Sequence, residues 1–103
     1  MEKFDKHFEI FLAGVNKIVA EHKAKFKFPF NEVIVARPGR RYIKLVVNRD
    51  GRDSSVYCFV DKSNGDCLKS ESWSKPAKHA RGNIFDASNG LAKAGPYGMA
   101  YLK

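Results

Sequence analysis

The sequence predicts an α+β domain: one N-terminal amphipathic helix packed on an antiparallel β-sheet of three or four strands, followed by a long ordered loop region. Three observations carry this expectation. Apolar residues recur at helical spacing over residues 3 to 22, strand-like runs separated by turn signals fill residues 32 to 70, and Gly or Pro interrupts the remaining third. A chain of 103 residues supports a single domain with one modest core. Its expected segments are 1-28 as helix and linker, 32-70 as β-meander, and 71-103 as a loop-rich C-terminal segment.

The helix rests on Phe4, Phe8, Phe11, Leu12, Val15, Ile18 and Val19, whose i, i+3, i+4, i+7 spacing makes one apolar face. Lys3, Lys6, Glu9, Asn16, Lys17 and Glu21 take the other face, and Glu2 and Asp5 sit near the positive end of the helix dipole. From Lys23 the period changes, with lysines alternating with Ala24, Phe26 and Phe28 until Pro29. That run fits either a frayed helix end or an extended linker.

The first strand is expected around Val33, Ile34 and Val35, ending at a Pro38-Gly39 turn. The second spans Arg41 to Arg49, with Ile43, Leu45 and Val47 on one face. Asp50-Gly51 signals a type I′ hairpin, because Gly accepts positive φ; a two-residue loop there pairs Leu45 with Val56, Ile43 with Cys58 and Arg41 with Val60. The next hairpin turns at Ser63-Asn64-Gly65. A three-residue loop with Gly65 in the left-handed region places Leu68 opposite Val60 and Lys69 opposite Phe59. The expected inner face is Ile43, Leu45, Val47, Val56, Cys58, Val60 and Leu68, covered by the helix. Cys67 then faces away from Cys58, so two free thiols are expected rather than a disulfide. A free sheet edge at Val33 to Val35 would allow a homodimer.

After Glu71, Pro76, Gly82, Gly90, Gly95, Pro96 and Gly98 leave no room for a regular element of ordinary length. Ile84, Phe85, Leu91, Tyr97, Met99, Tyr101 and Leu102 are nevertheless too many for a floppy tail and are expected to pack.

Function is constrained first by charge. Nineteen Lys and Arg against 11 Asp and Glu give a net charge of +8, which points to anionic partners. The excess is uneven, since residues 1 to 33 carry 6 basic and 5 acidic side chains and residues 34 to 103 carry 13 and 6. Positive potential therefore belongs to the sheet and the C-terminal segment. One cluster is Arg37, Arg40 and Arg41 around the Pro38-Gly39 turn. A second is the carboxylate-free run from Trp73 to Arg81, with Lys75, Lys78, His79 and Arg81 beside the single Trp. Cations of this kind neutralise phosphates, and Trp73 can stack on a base. The outer face of the sheet would add Tyr42, Lys44, Tyr57, Phe59 and Lys69, unless the C-terminal segment folds over these rings as a second small core.

Other chemistry has little support. No apolar run approaches the ~18 residues of a membrane span, and no signal-peptide pattern opens the chain, so a soluble cytoplasmic protein with no membrane partner is expected. His79 with Cys58 or Cys67 lacks anything to fix a nucleophile–base pair. His7, His22, His79 and the cysteines show no metal-ligand spacing, and Asp61 to Asp66 departs from a calcium loop in the placement of Gly and the closing Glu. No catalytic residue, metal or cofactor is expected.

The stretch from Tyr57 to Asp86, YCFVDKSNGDCLKSESWSKPAKHARGNIFD, followed by Gly95-Pro-Tyr-Gly, resembles short accessory proteins of tailed bacteriophages, notably those of marine and cyanobacterial hosts. The likeness covers about residues 40 to 102. It implies a small phage protein made in the host bacterial cytoplasm, and it transfers no site residues. The combined expectation is non-enzymatic binding of nucleic acid or a phosphate-bearing nucleotide by Arg37, Arg40, Arg41, Lys44, Trp73, Lys75, Lys78, His79 and Arg81. The alternative is a host-takeover or anti-defence protein that binds and inhibits a host protein.

Overall fold

A computed structural model describes residues 2–26, 32–91, 94, 95 and 98. The expected linker residues Phe28 and Pro29, and the expected packing of Tyr97, Met99, Tyr101 and Leu102, lie outside the described residues. In chain order the elements are α1 (Glu2–Phe26), β1 (Glu32–Pro38), β2 (Tyr42–Arg49), β3 (Arg52–Asp61), β4 (Asp66–Ser72) and β5 (Lys75–Asn83). Of the two readings for Lys23 onward, the helical one holds to Phe26. Lys23 and Lys25 fall in the last turn, where cations meet the negative end of the dipole. No helix among the described residues is long and apolar enough to cross a membrane.

One helix packs on an antiparallel sheet, as expected, but the sheet has five strands in the order β1-β2-β3-β4-β5 rather than three or four. Ala94 adds an isolated bridge. The additional strand is β5, which occupies Lys75–Asn83 inside the segment expected to be loop. Pro76 and Gly82 do not prevent it, for two reasons. β5 lies at the sheet edge, where a missing N–H is tolerated, and three register shifts against β4 absorb the irregular positions.

The helix stripe of Phe4, Phe11, Val15 and Val19 buries against Ile34, Ile43, Leu45, Val47, Cys58, Val60 and Cys67 on one face of the sheet. The described C-terminal residues close this same core. Ile84 is fully buried, Phe85, Leu91 and Ala94 pack against the same core, and Leu91 rests on Gly14 so closely that a Cβ there would collide with its side chain. They do not fold over the opposite face. Asp86 organises this return by accepting hydrogen bonds from the amides of Gly90, Ser88 and Asn83 and from Ser88 Oγ.

Both hairpin registers differ from expectation. Asp50 and Gly51 do form the two-residue turn, with φ of 52° and 88° and Arg49 opposite Arg52. Two bulges then move β3, so that Leu45 faces Cys58 and Ile43 faces Val60, while Val56 faces Val46. Two one-residue shifts preserve parity, and Ile43, Leu45, Cys58 and Val60 therefore stay on the helix side. The bulge between Val56 and Cys58 also turns Tyr57 into the helix-side core, where its hydroxyl donates to Gly95 O at 2.6 Å.

At the next turn the difference is a single residue, and it inverts the face. Lys62 to Gly65 make a four-residue loop in which Gly65 N donates to Asp61 O at 2.7 Å, and Gly65 takes φ of +81°. Cys67 rather than Leu68 now faces Val60, and Leu68 faces Phe59 on the far side. Cys58 and Cys67 thus share the core instead of facing apart, and both are free thiols.

The expected free edge at β1 is also modified. Asn16 on α1 donates from Nδ2 to Ile34 O at 3.0 Å and accepts from Ile34 N at 2.8 Å. Its carboxamide takes the place of a neighbouring strand at that residue, although Val33 beside it remains exposed.

Two stability outcomes follow. Gly65→Ala forces a side chain into positive φ and within 2.7 Å of the Phe85 ring, and is expected to cost at least about 2 kcal/mol in urea unfolding. Asn16→Ala strips both partners from Ile34 and is expected to cost about 1–3 kcal/mol, with light scattering reporting edge-to-edge association.

Candidate functional site

The face opposite the helix is read directly from the strand register. Arg37, Lys44, Phe59, Leu68 and Ala80 lie side by side across all five strands, and Tyr42 pairs with Asp61 in an adjoining row. Phe59 is only 3% exposed, with Tyr42 packed edge-on against it at 6.1 Å, and Val46, two residues along β2 from Lys44, is fully buried. Tyr57 and Phe59, both expected to offer rings for stacking, are therefore core residues. Trp73, 49% exposed, is the accessible indole.

Trp73 reaches this face because β3 and β4 pair only briefly. Their register covers Phe59 with Leu68 and Val60 with Cys67 and goes no further. Beyond Leu68 the β4–β5 hairpin is released from β3, and its Trp73-Ser74 tip lies over β2. Lys44 Nζ sits 4.4 Å from the Trp73 ring centroid, and Ser74 lines the same groove as Arg37. Two stretches that are distant in sequence thereby meet.

Two neighbouring grooves result. The first, of about 360 Å³, is lined by the Arg37–Tyr42 segment together with Lys44, Phe59 and Ser74. The second, of about 430 Å³, shares Arg41 and Tyr42 and adds Asp61, Asn64, Asp66, Leu68 and the Lys75–Lys78 segment. Of the nine residues singled out in the sequence, Arg37, Arg40, Arg41, Lys44, Lys75 and Lys78 line these grooves, and Trp73 stands over Lys44. Arg81 lies on β5 and lines neither groove. His79 is also on β5, and its side chain lies outside the described residues.

The cations are held in different ways. Arg37 donates from Nε and Nη2 to the two oxygens of Asp53, at 3.2 and 3.0 Å, in an exposed bidentate pair. Arg41 donates from the same two nitrogens to Asp61 Oδ2, at 3.3 and 3.2 Å, and its guanidinium lies 5.2 Å over the Tyr42 ring. Arg41 remains 64% exposed, so its other N–H groups are accessible. Lys75 pairs with Glu71 at 3.4 Å. The side chains of Arg40 and Lys78 make no hydrogen bond or ion pair with another described residue. The Arg40–Arg41 turn is itself tethered, because Lys62 donates from N to Arg41 O and from Nζ to Gly39 O.

Sequence reasoning missed the carboxylates. Asp61 is the one buried charged residue among those described. Burial by itself raises its pKa, but hydrogen bonds from Ser63 Oγ, Ser63 N and Arg41 outweigh that and leave it below its ordinary 3.8. The signal was present in the sequence as an Asp two residues before Ser63, an Asx-turn spacing. Its pairing with Arg41 depends on register. The thiols are poorly suited to nucleophilic chemistry: burial pushes Cys58 well up, and burial with Asp86 and Asp66 nearby pushes Cys67 up to about 12.

Asp61 gives a pH-dependent outcome. A carboxyl held below its unfolded value stabilises the fold above that value, and the contribution is lost as pH falls through the folded one. Thermal stability is expected to fall as pH drops below about 4. Asp61→Asn is expected to cost about 1–3 kcal/mol at pH 7 and to show a flatter acid limb in the same melting series.

No curated protein and no solved structure matches the chain. A family model does match over residues 5–101, and its description is a family of unknown function. The chain thus belongs to the DUF7717 family, and the match takes in nearly all of the helix, the five strands and the residues of both grooves.

Proposed function

We propose that the protein is a non-enzymatic binder of nucleic acid or a phosphate-bearing nucleotide, acting through the sheet face opposite the helix. One observation carries the reading: Arg37, Arg40, Arg41, Lys44, Lys75 and Lys78, drawn from separate strands and turns, line two adjoining grooves. Carboxylates oppose only some of them. Asp53 and Asp61 each hold one arginine in place, which fixes its remaining donors without removing its exposed edge. The groove volumes fall in the ~300–1,000 Å³ range of small-ligand sites, while their continuity through Arg41 and Tyr42 suits a longer strand.

Phosphate contacts position a ligand and make its binding fall with salt. The resemblance of the SWSKPAKHARGN and GPYG segments to phage accessory proteins supports a setting inside an infected bacterial cell. There the ligand would be phage or host nucleic acid.

Labelled single-stranded and duplex oligonucleotides titrated by fluorescence anisotropy at several salt concentrations test this. Affinity is expected to fall linearly in log salt. Arg40→Ala and Lys78→Ala, at side chains with no hydrogen bond or ion pair to other described residues, are each expected to lower the slope by about 0.7–0.9, the value of one phosphate neutralised. Absence of binding at low salt to any of these probes overturns the reading.

A further inference from the structure

We infer that the ligand presents an unpaired nucleobase, which stacks on the solvent face of Trp73 while adjoining phosphates lie along Arg40 and Arg41. The inference rests on the binding reading above and narrows it from phosphate-bearing ligands in general to single-stranded nucleic acid.

Trp73 is the only Trp in the chain and, among the described residues, the large exposed ring beside the cationic grooves. Lys44 Nζ sits over the indole at 4.4 Å from its centroid, so one face is occupied by a cation. An exposure of 49% fits a ring with its second face in water. The cation holds the indole over β2 and leaves it pre-oriented, which lowers the entropy cost of stacking a planar group on it. Bases stack on exposed aromatic rings with little regard to identity, so this platform recognises a base as such.

The surroundings favour a single strand. In a duplex each base already stacks on its neighbours, and its faces are closed to an indole. The platform stands on a hairpin tip with Ser74 in the groove wall, close to the tethered Arg40–Arg41 turn. A splayed base and its own backbone can reach both. Tyr57 and Phe59 are buried, and half-buried Tyr42 packs against Phe59 and carries the Arg41 guanidinium over its ring, which leaves Trp73 as the open platform of this face among the described residues and makes one stacked base the expected unit. A polyanion without bases would meet the cations and gain nothing from the ring.

The single Trp makes the test direct. Intrinsic fluorescence and anisotropy are measured with an oligothymidylate, an abasic strand of equal length and charge, a hairpin duplex, and inorganic polyphosphate. The oligothymidylate is expected to quench Trp73 emission and to bind about tenfold more tightly than the abasic strand. Trp73→Phe should keep most of that advantage. Trp73→Ala should abolish it while leaving the salt slope unchanged, because the phosphate contacts remain. Circular dichroism confirms that each variant is folded. Equal affinity for base-bearing and abasic strands, or equal affinity for duplex, overturns the inference and leaves the broader phosphate-binding reading standing. Failure of every probe to bind at low salt overturns that broader reading instead.

Discussion

The carboxylate of Asp61 is the interaction on which both the fold and the candidate site depend. Buried at the end of β3, it accepts hydrogen bonds from Ser63 N and Oγ and from two nitrogens of Arg41. The Ser63 contacts shape the four-residue turn, and the turn length sets the register of β4. That register puts Cys67 into the helix-side core and Leu68 on the far face. The Arg41 contacts fix a guanidinium that belongs to both grooves. A neutral residue at this position would loosen the turn and the arginine together.

The sheet keeps its two faces distinct. On one side the helix and the returning C-terminal residues enclose an apolar core, with Asp86 gathering the amides that turn the chain back. On the other, Val46, Phe59 and Leu68 are buried on the face that also carries the arginines and lysines of the grooves. Under the proposed binding role, this division separates stability from recognition. The side chains of Arg40 and Lys78 form no hydrogen bond or ion pair with other described residues and would be open to the proposed ligand, whereas Arg37 and Arg41 are braced by acids that fix their geometry.

Brief pairing between β3 and β4 is what joins the two basic clusters. Had β4 stayed paired along its whole length, Trp73 would lie at the far end of the sheet from the Arg40–Arg41 turn. Release after Leu68 lets the hairpin tip cross β2, and Lys44 receives the indole. Edge protection works on a similar scale at β1, where Asn16 substitutes a carboxamide for a neighbouring strand at Ile34. Both features come from side chains brought together by packing.

The amino-acid sequence determined the elements whose causes are local. Helical periodicity marks Phe4 through Val19, Asp50-Gly51 makes its two-residue turn, Gly65 takes positive φ, and the basic residues cluster at the two stretches that line the grooves. Tertiary structure alone decided the rest. Bulges in β3 sent Tyr57 inward, a one-residue longer turn exchanged Cys67 with Leu68, and an edge position made Lys75–Asn83 a strand despite Pro76 and Gly82. The physical reason is common to all three. A strand's face and even its existence depend on a partner's backbone, and the side-chain period of two turns a single-residue difference into an inversion.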